Sequence, residues 1–230
     1  MSQYWKHKIK VIFGIGILLG ILLLIVQGVC DIPYPVMMRG YIIGSIIVIL
    51  LTGIINAVWQ FKFQKKLMGM NSMLYQEETL DLFIEQIDTL LKKIKSDFNR
   101  NQLLISLSVA YCEKQQYQEA KDVLLQMEEK ALSGIIKAIY YHNLAYYHFL
   151  LNESKMAIQI MEEHKTDFEK WRKNKALEPN LLINEVYLYI NQENWNEAKE
   201  RLVKLEDIKR DALLERSFQL AKSKLESIAG

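Results

Sequence analysis

Two cysteines, three prolines and four histidines are all that the 230 residues contain, and each scarcity removes a class of protein. Cys30 and Cys112 lie in segments of opposite character with no C-x-x-C spacing, so neither a disulfide framework nor a zinc or redox motif is indicated. Cys112 reads as a small packing residue of a helix rather than a reactive thiol. His142 and His148 are six apart, on different faces of a helix. His164 has Asp167 one turn on but no second histidine or cysteine to complete a metal site. There is no glycine-rich phosphate loop, nucleophile elbow or supported Cys/His pair. The expectation is a non-enzymatic chain with no catalytic residue, no cofactor and no metal.

Acidic residues are almost missing from the start of the chain. The first 66 residues carry seven Lys or Arg (Lys6, Lys8, Lys10, Arg39, Lys62, Lys65, Lys66) against Asp31 alone. That is +6 within a total of +2, so residues 67–230 are net −4. General nucleic-acid binding rests on neutralising phosphates with a basic surface, and this excludes it for the later part.

What the opening has instead is oil. Residues 11–29 are free of charge, with Gln27 as the one polar side chain, and as a helix of ~1.5 Å rise they reach roughly 28 Å, the span of a bilayer core. Residues 40–58 form a second charge-free run of equal length. The break between, 30–39, holds Pro33 and Pro35, which suit a turn. Lysines flank the outer ends of both runs while the loop has Arg39 balanced by Asp31, so the positive-inside rule puts both termini in the cytoplasm of a cell-membrane hairpin. Tyr4, Trp5 and Trp59 suit interfacial belts. A lipoprotein or secretory signal fits less well, because Val29 rather than a small residue precedes Cys30. In an antiparallel hairpin Gly16 and Gly53 come to one depth, which predicts that the spans touch there.

From about Tyr75 the chain has helical periodicity, few breakers and only Pro179 as proline. A first amphipathic helix, 76–96, lines up Leu80, Phe83, Ile84, Ile87, Leu91 and Ile94. Beyond it "QQYQEAKDVLLQME" (115–128) returns as "ENWNEAKERLVKLE" (193–206). Aligned on Ala120, Ala157 and Ala198, three units appear: Leu104, Leu107, Ser108, Tyr111; then Tyr141, Leu144, Ala145, His148; then Leu182, Glu185, Val186, Tyr189. In each, the alanine follows nine residues after the last of these, and Leu124, Met161 or Leu202 four residues later. The third departs twice, with Glu185 where leucine is expected and Val186 where a small residue is expected.

This pattern resembles the tetratricopeptide repeat, whose units of about 34 residues pair two antiparallel helices with small residues where the helices cross. The alanines here are 37 and then 41 apart, and the longer link, "WRKNKALEPN", extends a helix or adds a loop. The organisation read is all-α: a membrane hairpin (1–66), a linker with an amphipathic helix (67–100), and repeats with a C-terminal capping helix (101–230) whose Leu214, Phe218, Ala221 and Leu225 face inward.

The resemblance implies a groove formed by the first helix of each unit, at Ile105, Val109, Cys112, His142, Tyr146, Phe149, Ile183 and Tyr187. The set is apolar and aromatic, so an apolar or amphipathic peptide of a protein partner is expected there. The opposite possibility, that the first helix and the C-terminal cap cover these residues, stays open. Two functions follow as expectations: a membrane-anchored adaptor or scaffold, or an accessory subunit of a membrane transport or export complex. The implied partners are the lipid bilayer, a protein segment and, for the second, other membrane subunits.

Overall fold

Eleven α-helices and two short 3-10 turns make up the described residues of a computed structural model, 3–30, 33–129 and 132–229, and no strand is among them. They divide into two compact units, Met1–Gly69 and Met70–Gly230.

The first unit holds α1 (Gln3–Cys30) and most of α2 (Tyr34–Asn71). Pro35 sits in the first turn of α2, where the missing N–H has no helical partner to lose. Val36 and Met37 N–H donate back to Pro33 O at 2.9 and 3.2 Å. The expected loop at 30–39 is therefore shorter, and Arg39 belongs to the helix. α2 is long and apolar enough to cross a bilayer, and the side chains of its apolar stretch are exposed, while Leu67 and Met70 near its end are buried. It runs on past Val58 to Asn71 with Lys62, Lys65 and Lys66 on its surface, so no linker opens at residue 67. The described apolar part of α1 is Gly16–Val29. The side chains of residues 1–13, with Lys6, Lys8, Lys10, Tyr4 and Trp5, lie outside the described residues, as does Asp31. The predicted meeting of Gly16 and Gly53 is not seen. A Cβ built on either would find nothing within 4 Å among the described residues, so neither lies at a close approach of helices.

The second unit begins with 3-10 turns at Ser72–Tyr75 and Glu77–Thr79. Thr79 Oγ1 donates to Met73 O (2.6 Å) and Gln76 O (2.9 Å), and Gln76 itself is extended, so α3 starts only at Leu80 and ends at Leu91. Leu80, Phe83 and Ile87 are its buried stripe. Three helical hairpins follow: α4 (Asp97–Glu113) with α5 (Tyr117–Leu124), α6 (Gly134–Leu150) with α7 (Ser154–Glu163), and α9 (Glu178–Asn191) with α10 (Trp195–Glu206). Each packs on the next in chain order. The extra residues of the second link form a separate helix, α8 (Lys165–Trp171), and a coil that enters α9 with Pro179 in its first turn.

The three hairpins turn in the same way, atom for atom. Gln115, Asn152 and Glu193, each five residues before its aligned alanine, hold φ of 59°, 59° and 56°. The next residue's N–H reaches back across six residues: Gln116 to Tyr111 O, Glu153 to His148 O, and Asn194 to Tyr189 O, at 2.8 to 2.9 Å. With the shorter bonds Gln115 to Cys112 O, Asn152 to Phe149 O and Glu193 to Ile190 O, this is the Schellman arrangement, which satisfies the last carbonyls of the first helix and reverses the chain. Where the helices then cross, Ala120, Ala157 and Ala198 have no exposed surface, nor do Ser108, Ala145 and Val186 opposite them. Val186 is as fully enclosed as Ser108 and Ala145, the smaller residues at the aligned positions. Tyr117 and Trp195, the first residues of α5 and α10, are half-buried.

Glu185, the departure from the apolar pattern, is buried and matched by two arginines that the sequence alone does not connect to it. Arg201 Nε donates to Oε2 at 2.8 Å, and Arg172 donates to Oε1 from the end of α8. The inserted α8 thus supplies half of the charge that lets a carboxylate replace leucine.

Candidate functional site

The face made by α4, α6 and α9 carries all eight residues of the expected groove. Five of them, His142, Tyr146, Phe149, Ile183 and Tyr187, are buried, while Ile105, Val109 and Cys112 are half-buried. Their aromatic rings form one cluster: Tyr146 meets Tyr187 edge-on with centroids 5.9 Å apart, Phe149 stacks on Tyr187 at 5.5 Å, and His142 lies parallel to Tyr146 at 6.4 Å.

The covering element is α11 (Ala212–Ala229), started by Asp211, whose Oδ1 accepts from Leu214 N–H at 2.9 Å. A simple cap would stack on the last hairpin alone. α11 does pack on α9 and α10, but it also packs on the 3-10 turn Ser72–Tyr75, and its side chains reach further. Arg216 donates to Glu113 at the end of α4 and to Leu74 O (3.3 Å), Ser217 lines the same cleft as Tyr146 of α6, and Lys224 donates to Asn152 Oδ1 (3.4 Å) after α6. The helix therefore lies across the face. Phe218, Ala221 and Leu225 are buried under it as the spacing predicts; Leu214 is only half-buried.

Ahead of Phe218 the fit is incomplete. A cleft of ≈ 540 Å³ remains, with Val109, Cys112, Tyr146 and Tyr147 on one side and Leu213, Leu214 and Ser217 of α11 on the other. Lys175 from the α8–α9 link, Pro179 from the first turn of α9, and Lys209 and Arg210 from the α10–α11 link add to its walls.

The electrostatics of the face are those of a dry interior. Burial pushes the His142 imidazole down to about 3, and it raises the Tyr146, Tyr187 and Cys112 groups far above their ordinary values. Neutral His142 accepts from Asn184 Nδ2 at 2.9 Å through Nδ1, and the same amide donates to His142 O at 2.9 Å. This ties α6 to α9 and leaves Asn184 Oδ1 buried without a hydrogen bond. Burial thus keeps the thiol protonated and the imidazole neutral at ordinary pH.

His148 and His164 are held by structural partners. His148 Nδ1 lies 2.5 Å from Glu153 Oε2, which also accepts from Lys121 Nζ at 2.8 Å; the Lys121 bond, more than His148, holds that carboxyl below its usual range. His164 stacks on Tyr141 with centroids 3.3 Å apart, and its neighbour Asp167 pairs with Lys137 at 2.7 Å. No group of three or more His, Cys, Asp or Glu side chains able to hold a metal ion occurs among the described residues.

Two things escaped the sequence. The left-handed turn residues are a glutamine, an asparagine and a glutamate, so the usual glycine signal is missing; only their constant distance from the alanines marks them. The path of α11 over the face depends on Arg216 and Lys224 finding partners 72 to 142 residues away in sequence, a separation that no local pattern reports. No protein family, characterised protein or solved structure matches the chain in comparison.

Proposed function

We propose that the chain is a non-enzymatic adaptor, anchored in a cell membrane by an N-terminal two-span hairpin with both termini cytoplasmic, whose tetratricopeptide-like helices hold an amphipathic segment of a partner protein. The observation that carries the reading is α11. An amphipathic helix already lies on the aromatic face of α4, α6 and α9, so that face is complementary to this kind of ligand. Anchoring contributes separately, because confinement to a membrane raises the effective concentration toward membrane-bound partners without any new contact.

The test is capture from detergent-solubilised membranes by the full chain and by a chain without the two spans, with site-specific crosslinkers at Val109 and Leu213. A discrete crosslinked protein at these positions supports the adaptor; labelling that is no more specific than at Lys155, on the far side of the α6–α7 hairpin, counts against it.

A second reading has one observation in its favour. Gly16, Gly20, Gly40 and Gly44 have open space beside them, and small residues of this spacing allow close approach of another transmembrane helix. The chain would then be an accessory subunit of a membrane transport or export complex. Exchanging the hairpin for an unrelated two-span anchor separates the two, since an adaptor keeps its function and a subunit loses it.

A further inference from the structure

The two halves of α11 are seated differently. Phe218, Ala221 and Leu225 are buried, whereas Leu213 and Leu214 face the ≈ 540 Å³ cleft. Protein interiors leave few voids larger than a water, and an apolar gap forfeits dispersion contacts on both of its walls. A volume of this size falls in the range of about 300–1,000 Å³ that ligand-sized pockets occupy.

The charges around the cleft also fit α11 poorly. Lys175 lines it from the α8–α9 link, and the lead-in to α11 adds Lys209 and Arg210 to the same walls. Glu113 is taken by Arg216, and Asp211 by the Leu214 N–H and Tyr75 Oη (3.4 Å). Arg210 is held by Glu215 at 2.6 Å, while Lys175 and Lys209 have no ion pair among the described residues. Of the fastenings, Lys224 to Asn152 is exposed and contributes little, while Arg216 is exposed but its partner Glu113 is largely buried, so that pair is the stronger of the two.

We infer that α11 is a placeholder on this face, and that the occupant the face fits better is an amphipathic helix of a partner protein with aromatic side chains in place of Leu213 or Leu214 and acidic ones in place of Lys209 and Arg210. Rings would fill the cleft against Tyr146, Tyr147 and Val109, and the acids would meet Lys175. The partner exchanges with α11 rather than binding beside it, so apparent affinity is scaled down by the fraction of chains whose α11 is released. This deepens the adaptor reading and rests on it for the existence of such a partner.

The experiment uses the full chain in detergent micelles and two labelled peptides: residues 207–229 as they stand, and the same peptide with Lys209→Glu and Leu214→Phe. Binding is compared for the parent chain, for Phe218→Asp, which removes the central anchor of α11, and for Arg216→Glu, which sets two carboxylates against each other at a surface site and leaves the apolar face intact. Opened chains should bind the plain peptide about tenfold or more tighter than the parent chain, and the altered peptide about tenfold tighter again. Equal binding by the parent and Arg216→Glu chains, or an altered peptide that binds no tighter than the plain one, would overturn the inference. A partner captured by the parent chain while both peptides fail leaves the adaptor standing and removes the placeholder. Peptides that bind as expected while no partner is captured do the reverse.

Discussion

Replacing Glu185 by leucine restores the residue that the repeat pattern leads one to expect, and it should nevertheless destabilise the fold. The carboxylate is buried, with Arg201 Nε 2.8 Å from one oxygen and Arg172 on the other. Taking one partner from a buried ion pair costs about 3–5 kcal/mol, and from a solvated pair about 0–1 kcal/mol. The side chain of Arg201 is 17% exposed and that of Arg172 39%, so this site lies between the limits. Arg201 keeps Glu197 (3.1 Å) and Glu200 (3.2 Å), and Arg172 keeps Glu169 (3.1 Å), which limits the loss further. The expected net cost is about 2 kcal/mol after the gain from a buried leucine. For a unit of this size that is a fall in Tm of about 4–8 °C. Thermal unfolding of the full chain in micelles, followed by circular dichroism, measures it. Because the pair is buried, molar salt should change the cost little. Adding Arg201→Leu to the variant should cost less than the two single changes summed, by about 1 kcal/mol. A Glu185→Leu chain as stable as the parent, with Arg201 intact, would refute the view that the two arginines hold this carboxylate in place.

Gln115→Gly should raise stability by about 0.5–1 kcal/mol, seen as a higher Tm, because φ of 59° is strained for a residue with a Cβ and free for glycine. Ala157→Leu should cost about 1–3 kcal/mol in the same assay, since its site has no exposed surface and the helices would have to separate. The stability of the parent chain should fall on acidification from pH 6.5 toward 3. His142 stays neutral in the fold down to about 3, while the unfolded chain takes up its proton at the ordinary value of 6.5. The unfolded state binds more protons in that window, so the loss is about 1.4 kcal/mol per pH unit well below 6.5. Denaturant unfolding at pH 8 and pH 5 reads it, and His142→Gln should remove most of the difference.

Much of this protein is local and therefore legible before any folding is known. Charge-free runs of spanning length follow from composition, and the helical class from periodicity. The register of the three hairpins follows from Ala120, Ala157 and Ala198, because two helices crossing closely exclude a larger side chain whatever surrounds them. Even the inward stripe of the last helix is visible as Leu214, Phe218, Ala221 and Leu225, since a helix repeats on itself every few residues.

Tertiary structure decided the rest, wherever the physical partner lies far along the chain. Glu185 reads as an error in the pattern until α8 brings Arg172 to it. Whether the groove residues are open or covered is undecided in the sequence, and the answer comes only with the path of α11. An amphipathic stripe requires only that something apolar cover it, and is equally satisfied by the neighbouring hairpin, the membrane or another protein. Which of these it is depends on where the chain turns at Asp211 and on contacts such as Arg216 with Glu113, and those are properties of the folded path and not of any stretch of residues.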